Sequence, residues 1–204
     1  MNRREASKFE TRQLILNAAK KLFQEKGVEQ CTMRGIAKEA GVSAASVVLH
    51  FKNKTALLEM ALYEDIERTL AQAVASLPPE AGLLDRLMHI PQAMFSFYDT
   101  NRELYRALVR KTVFEPEEDY PRLTRQLENH LQFLGGLIEH EKALGNIRPD
   151  VDVNIAAASL ASLYIGVLII FFRNPKITPQ MALDMLTAMK WQCLTGIKVV
   201  REEK

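Results

Sequence analysis

The sequence predicts an all-α protein, and three observations support this prediction. Apolar residues recur every three or four positions through most of the 204 residues, as they do on the buried face of a helix. No stretch of useful length alternates apolar and polar residues as a half-buried strand does. Glycine and proline residues mark the ends of the apolar stretches. We therefore expect an N-terminal three-helix headpiece with a helix-turn-helix, followed by a larger C-terminal helical domain.

The first predicted helix runs from about residue 9 to residue 26, and its apolar stripe is Ile15, Ala18, Ala19, Leu22 and Phe23. Gly27 ends this helix, because glycine adopts a positive φ without a steric penalty. Val28 is expected to pack behind the turn. Upstream, Arg3 and Arg4 fit either an arm that reaches DNA or a disordered, solvated tail.

Residues 32–51 have the layout of a helix-turn-helix. Thr32 and Ser43 are good N-caps for two short helices, and Gly41 provides the tight turn between them. The second of these helices, here about residues 44–50, is the one that lies in the major groove of DNA in this motif. Without further context, the pattern fits an ordinary helical hairpin with a glycine corner equally well.

The predicted recognition helix has two faces. Val47 and Phe51 are expected to turn inward, while the outward residues are Ala44, Ala45, Ser46, Leu49 and His50. Lys52 and Lys54 follow, at positions suited to contacts with phosphates.

Charge is distributed unevenly along the chain. Residues 1–58 contain 11 Lys/Arg and 5 Asp/Glu, a net of +6, whereas the remainder contains 16 and 20, a net of −4. A basic headpiece on a mildly acidic body is typical of a nucleic-acid-binding protein.

Residues 11–58 resemble the DNA-binding domain of the TetR family of bacterial transcriptional regulators. In chain order, the resemblance rests on Thr11, Arg12, Ile15, Ala18, Ala19, Leu22, Phe23, Gly27, Thr32, Ile36, Ala37, Ala40, Gly41, Val42, Ser43, His50, Phe51, Lys54, Leu57 and Leu58. It implies that Thr32 and Arg34 contact phosphate or a base edge, and that residues 44, 45, 46 and 49 face the groove. The candidate DNA-contacting residues are Thr32, Arg34, Ser43, Ala44, Ala45, Ser46, Val48, Leu49, His50, Lys52 and Lys54.

The chain departs from the family pattern at three of these positions. Family members usually have a glycine where this chain has Ala45 and a basic or polar residue where it has Ala44. A tyrosine that touches phosphate usually stands at the position of Val48. The recognition helix is therefore short of hydrogen-bonding groups, and thymine methyl contacts and DNA shape, with help from Arg34, are expected to contribute more.

We expect two domains. Residues 1–55 form the DNA-binding domain, and residues 56–204 form a helical ligand-binding and dimerisation domain. A long helix begins near Lys54 and ends at Pro78, with further helices at about 83–99, 101–113, 121–143, 152–173 and 178–199. One stripe of the 121–143 helix is Leu123, Leu127, Leu131, Leu134 and Ile138. Pro91 is expected to kink its helix and to leave a carbonyl group without its usual donor.

Residues 153–172 carry no charge, so both a transmembrane helix and a buried helix of a soluble protein must be considered. An alanine- and serine-rich first half, together with Asn154, favours the soluble alternative and a protein outside the membrane. Small residues suited to close packing and methionines on the next helix form a candidate dimer interface: Ser159, Ser162, Gly166, Met185 and Met189. The resemblance implies the same, since the last two long helices form a four-helix dimer interface in TetR-like proteins.

Aromatic and methionine residues of the central helices are candidates for the lining of an effector pocket: Met88, Phe95, Tyr98, Tyr105, Phe133, Tyr164 and Phe171. The alternative, that residues of this type at helical spacing form plain core, stays open for each of them.

Other functional classes lack support in the sequence. There is no phosphate-binding glycine loop, nucleophile elbow or His-Glu-x-x-His motif, so no catalytic residue, cofactor or metal site is predicted. The acidic stretch 115–119 is interpreted as a solvated loop. Cys31 and Cys193 are far apart, which favours a reducing cytoplasm, although Cys31 fits either a packed thiol or a redox sensor.

These observations together predict a cytoplasmic, homodimeric transcriptional regulator that binds a palindromic double-stranded operator. A repressor relieved by a small apolar or amphipathic effector is the favoured form. The alternative is a helical protein-interaction module whose headpiece has lost tight DNA binding.

Overall fold

The computed structural model describes residues 2–78, 80–114, 116, 118 and 120–197. Over these residues the chain is helical and contains no β-strand, which confirms the predicted fold class. The helices are α1 (Arg3–Lys26), α2 (Met33–Glu39), α3 (Ala44–His50), α4 (Lys54–Ala75), α5 (Leu83–Asp99), α6 (Arg102–Phe114), α7 (Pro121–Ala143), α8 (Val153–Arg173) and α9 (Pro179–Thr195).

The chain forms two compact units. The first comprises residues 1–68 and 101–124, and the second comprises residues 69–100 and 125–204. The headpiece helices therefore share a unit with α6 and with parts of α4 and α7. The functional boundary predicted at residues 55–56 stays a prediction.

The first helix begins earlier than its apolar stripe indicates. Asn2 and Glu5 form a capping box, in which each side chain accepts a hydrogen bond from the other residue's backbone N–H. Arg3 and Arg4 are therefore helical, and the disordered tail considered from the sequence was wrong. Propensity and capping, rather than a buried face, extend the helix here, because residues 2–5 are exposed.

The core of the first unit is made by the apolar faces of its helices. Its fully buried members in the headpiece and α4 include Ile15, Ala19, Phe23, Ile36, Val47, Leu57, Leu58 and Leu62. Helix α2 packs against both α1 and α3, as the helix-turn-helix pattern predicts. The seven-residue α3 is too short to be stable alone, so this packing holds its orientation.

A buried carboxylate joins α4 to the beginning of α7. Glu59 on α4 accepts hydrogen bonds from the backbone N–H groups of Arg122 (2.9 Å) and Leu123 (3.2 Å). These N–H groups lie in the first turn of α7 and have no partner within their own helix. Glu59 is thus a cap supplied from a distant part of the sequence.

The core of the second unit lies among α5, α7, α8 and α9. Its buried members include Leu87, Leu134, Leu137, Ile138, Ala157, Leu160 and Leu194. Helix α9 packs against α5 and against α8. Leu127, expected on the buried stripe of α7, is instead exposed, because the stripe drifts around the helix and Leu137 takes the inward place further along.

Helix α8 is long and apolar enough to cross a membrane by composition alone. Eight of its residues are buried in the described structure: Ala156, Ala157, Leu160, Ala161, Val167, Leu168, Phe171 and Phe172. Core packing therefore accounts for one face of this helix.

Candidate nucleic-acid interface and candidate effector site

The turn between α2 and α3 is set by a hydrogen-bonded helix end. The Val42 N–H donates to the Ala37 carbonyl (3.0 Å), and the Gly41 N–H donates to the Lys38 carbonyl (3.3 Å). Gly41 has a φ of 67°, a left-handed conformation that favours glycine. This turn therefore fixes the direction in which the chain leaves α2 and the position at which α3 begins.

Two predicted DNA-contacting hydroxyls act as helix caps. Thr32 Oγ1 accepts from the Gly35 N–H (3.0 Å) at the start of α2, and Ser43 Oγ accepts from the Ser46 N–H (3.1 Å) at the start of α3. Each hydroxyl still has a proton to donate, so capping and a phosphate contact are compatible.

The outward face of α3 has the composition and orientation expected from the sequence. Val47 is fully buried, whereas Val48 is 57% exposed and Leu49 is 79% exposed. Ala44 and Ala45 are exposed as well. Nothing in the described structure covers these apolar side chains, so α3 presents an exposed apolar surface.

Basic residues of α1 lie beside the end of α3, which the sequence interpretation missed. The Arg12 guanidinium lies 5.1 Å from the centre of the Phe51 ring. Burial, and then the charges of Lys8 and Arg12, lower the pKa of His50 below its usual value. His50 is therefore a neutral hydrogen-bonding group at pH 7, and Lys8 and Arg12 supply the positive charge. Only the packing of α1 against the helix-turn-helix reveals this proximity.

Lys54 has a structural role that the sequence did not suggest. Its ammonium group donates to the carbonyl oxygens of Val28 (2.9 Å), Cys31 (3.2 Å) and Glu29 (3.5 Å). It therefore links the start of α4 to the loop between α1 and α2. Lys52, by contrast, is exposed, as is Arg34.

Cys31 is a packed thiol. It is buried, its Sγ donates to the Gly27 carbonyl (3.2 Å), and burial raises its pKa. A raised pKa reduces the thiolate fraction that a redox sensor requires.

The structure brings most of the candidate effector residues together in the second unit. Phe95 lies against both Tyr164 and Phe171, with ring centres 5.7 and 5.3 Å apart. The hydroxyl groups of Tyr98 and Tyr164 are hydrogen-bonded to each other. Burial raises the pKa of Tyr98 to about 12 and the pKa of Tyr164 well above its usual value. Both phenols are therefore neutral hydrogen-bonding groups.

The remaining three candidates are Met88, Phe133 and Tyr105, and only the first two belong to the second unit. Met88 is buried on α5, and Phe133 on α7 stacks with His130 at 6.4 Å between ring centres. Tyr105, although buried, belongs to the first unit, whereas the other six candidates belong to the second.

The candidate dimer residues lie on the outward side of α8 and α9. Ser162 and Gly166 are exposed, and Ser159, Met185 and Met189 are half-buried. The structure adds large apolar residues that are exposed on the same two helices: Ile155, Ile170, Met181 and Trp191. Their helical spacing was visible in the sequence, but their exposure was not, because almost every residue of α8 is apolar.

No group of three His, Cys, Asp or Glu side chains among the described residues is arranged to hold a metal ion. Three residues of the acidic 115–119 stretch, at positions 115, 117 and 119, lie outside the described residues.

Comparisons with known proteins agree with this geometry. The profile of the family described as bacterial regulatory proteins, tetR family, matches residues 15–61. The nucleoid occlusion factor SlmA of Haemophilus influenzae is 31% identical over 156 residues, which cover 75% of this chain and 71% of that protein. The HTH-type transcriptional regulator UidR of Escherichia coli K12 is 27% identical over 164 residues, 78% of this chain and 80% of the relative.

A solved structure shows the same fold. The transcriptional regulator FadR of Bacillus subtilis, in complex with stearoyl-CoA, superposes with a TM-score of 0.71 at 20% identity, covering 91% of this chain and 98% of that one. The match to SlmA spans more than two thirds of both proteins, and the family profile covers the helix-turn-helix built by α2 and α3. The chain belongs to the TetR family of bacterial DNA-binding transcriptional regulators.

Proposed function

We propose that this regulator is a ligand-relieved repressor that binds a palindromic operator as a homodimer in the cytoplasm. The observation that carries the proposal is the uncovered apolar face of α3, with Val48 and Leu49 exposed beside basic residues of α1. A monomeric soluble protein gains nothing from exposing two large apolar side chains on a seven-residue helix. A DNA groove lined by thymine methyl groups is a fitting partner for them.

Phosphate contacts would supply most of the affinity, and the apolar face would supply the selectivity. Arg34, Lys52, Lys8 and Arg12 are the candidate cations, while Thr32, Ser43 and Ser46 offer hydroxyl groups. Because α3 has few hydrogen-bonding groups, discrimination would rest on thymine methyl contacts and groove shape.

A salt series on two DNA molecules tests this proposal. Fluorescence anisotropy would compare a fragment from the intergenic region upstream of this gene with a scrambled fragment of equal length and composition. We expect strong preference for the native fragment and a steep loss of affinity with salt. Equal and weak binding to both fragments would instead support the interaction module with a degenerate headpiece.

Dimerisation through α8 and α9 is the second part of the proposal. Ser159, Ser162 and Gly166 would allow close approach of two helices, and the exposed Ile155 and Trp191 would be covered by the partner protomer. A single short recognition helix makes few contacts, so two headpieces on one operator raise specificity. The same burial would account for the lipid-like composition of α8 without a membrane.

Effector control is the third part. The aromatic residues Phe95, Tyr98, Phe133, Tyr164 and Phe171 lie together with neutral polar groups, as in an apolar pocket with a few polar handles. FadR of Bacillus subtilis, which has the same fold, was solved in complex with stearoyl-CoA. An effector would relieve repression by binding better to a conformation with unsuitable headpiece spacing. No enzymatic activity is part of this proposal.

The SlmA relatives favour a second candidate, a DNA-binding nucleoid occlusion factor. A genome-wide map of bound sites separates the two. Sites concentrated at promoters, with altered transcription after deletion of the gene, support the repressor. Dispersed sites without transcriptional change favour the second candidate.

A further inference from the structure

A lysine lies in the interior of the second unit, and no described residue supplies a counter-ion for it. Lys190 on α9 is 0% exposed, and its ammonium group donates to one acceptor, the Leu87 carbonyl, at 3.1 Å. No carboxylate of the described residues forms an ion pair with it, and its other two N–H groups have no acceptor there. A buried cation in this state is costly, and native proteins rarely retain one without a use for it.

The single acceptor exists because of a proline. In an uninterrupted helix the Leu87 carbonyl would accept from the N–H four residues later, but Pro91 has none. The expectation that Pro91 leaves a carbonyl without its helical donor is therefore confirmed. The freed oxygen orients the Lys190 side chain, but a neutral carbonyl cannot balance its charge.

A second polar group near Lys190 also lacks a partner. The Nε2 atom of His130, on α7, is buried and has no hydrogen-bond partner among the described residues. Burial and then the charge of Lys190 lower the pKa of His130 to about 4, so its ring is neutral at pH 7. The imidazole lies 6.3 Å from the Tyr164 ring and 6.4 Å from the Phe133 ring, measured between ring centres.

Four helices therefore bring one cation and neutral polar groups to an aromatic interior: Lys190 from α9, His130 from α7, Tyr164 from α8, and Tyr98 from α5. We propose that Lys190 and His130 bind the carboxylate of an amphipathic monocarboxylic acid. One oxygen would accept from the free N–H groups of Lys190, and the other from the Nε2–H tautomer of His130.

The charge and the surroundings define the ligand class. A single buried cation balances one negative charge, so a monocarboxylate fits better than a doubly charged phosphate ester. Phe95, Phe133 and Phe171 would contact the apolar part of the acid. This inference rests on the proposed effector function, because it names the chemistry that the same interior would recognise.

The test compares acids with their neutral counterparts on the full-length protein without DNA. Straight-chain carboxylates from butanoate to dodecanoate, with benzoate and phenylacetate, are paired with the corresponding primary alcohols. Thermal shift identifies the binders, and calorimetry gives their affinities. We expect at least one acid to bind about tenfold or more tightly than its alcohol, as loss of a charge-assisted hydrogen bond predicts.

Variants assign that preference to the two residues. Lys190→Met keeps the length and apolar stem but removes the charge, and it should weaken acid binding about tenfold to a hundredfold while alcohol binding stays the same. His130→Phe should weaken acid binding less, since it removes a neutral donor. Lys176→Met, at an exposed lysine of the same unit, is the matched control and should change neither.

Three outcomes overturn the inference: no acid binds at millimolar concentration, acids and alcohols bind equally, or Lys190→Met binds the acid like the wild type. Because binding is measured without DNA, the result does not depend on whether the protein binds an operator. If no operator is found, the acid preference still stands. If the protein binds an operator but shows no acid preference, only this inference is overturned.

Discussion

Several single residues of this protein have their functions decided by hydrogen-bond partners rather than by residue type. Lys52 and Lys54 are both flanking lysines of the recognition helix, yet only Lys54 is held by loop carbonyls. Lys190 and Lys176 also differ in their surroundings, because Lys190 is fully buried and Lys176 is exposed. Substitutions of these lysines should therefore have different effects, although the side chains are chemically identical.

Lys54→Ala should destabilise the headpiece, whereas Lys52→Ala should affect DNA binding. Loss of Lys54 removes a charged donor from the Val28 and Cys31 carbonyls, which we expect to lower the free energy of unfolding by about 1–3 kcal/mol. Lys52→Ala should leave stability unchanged and reduce the salt slope of DNA binding by about one. Urea unfolding and a salt series measure the two effects. Unchanged stability in Lys54→Ala would contradict the structural role.

Lys190 should make stability depend on pH above neutrality. Burial lowers its pKa from 10.5 to about 8, so between these values the unfolded chain binds more protons and stability rises with pH. Below about pH 8 the full cost remains, on the order of 3 kcal/mol. Relative to Lys190→Met, the wild type should therefore be less stable at pH 7 and should approach the variant toward pH 10. Urea unfolding of both proteins checks this, and a constant difference would argue against a buried charge.

At the scale of the element, α3 and the pair α8 and α9 are each buried on one face and exposed on the other within the described part of the chain. Val47 anchors α3 to the core, while Val48 and Leu49 are exposed. Helix α8 buries Leu160, Val167 and Phe171 but exposes a face of small and apolar residues. Uncovered apolar faces on both elements are consistent with two kinds of partner, DNA for α3 and a second protomer for α8 and α9.

Leu49→Ala should separate DNA recognition from folding. The side chain is 79% exposed, so the free energy of unfolding should change by less than about 0.5 kcal/mol. Loss of methyl contacts should reduce the preference for the native fragment by about 1 kcal/mol while binding to scrambled DNA persists. Val47→Ala, at the buried neighbour, is the contrasting variant and should destabilise the headpiece. Equal weakening on both DNA fragments would show that Leu49 does not contribute to selectivity.

Gly166→Arg should disrupt the proposed dimer without disturbing the protomer. A Cβ at Gly166 has no heavy atom within 4 Å, and the residue is exposed in the middle of α8. Arginine would bring a charge and bulk into the close helix contact, whereas Gly166→Ala keeps the surface small. Light scattering should find the arginine variant monomeric and the alanine variant dimeric. A dimeric arginine variant would place the interface elsewhere.

At the scale of the whole molecule, the proposed dimer would recognise DNA through two headpieces held at one spacing. Two half-sites read by a symmetric dimer are about 34–36 Å apart or a multiple of that distance. Inserting about 5 base pairs between them rotates one half-site by half a helical turn, which should abolish tight binding, whereas about 10 should restore part of it. Anisotropy on a set of spacer variants measures this. Equal affinity for all spacers would argue for independent protomers.

Much of the fold was predictable because local signals were strong and consistent. Thr32, Gly41 and Ser43 cap or end their helices as their residue types predict, and the bounds of α5 and α7 agree with the apolar patterns. The start of α1 and the exposure of Leu127 were missed, because capping upstream and drift of a stripe are not visible in apolar spacing alone.

The sequence by itself determined the helical class, the helix-turn-helix and the membership of the chain in the TetR family. This was possible because periodicity, caps and motif spacing are local properties. Only the tertiary structure decided which polar groups are paired. It placed Lys54 on loop carbonyls, Glu59 on the first turn of α7, and Lys190 beside the carbonyl freed by Pro91. These partners are 23 to 103 residues apart in the sequence, and such pairings follow from packing rather than from any pattern along the chain.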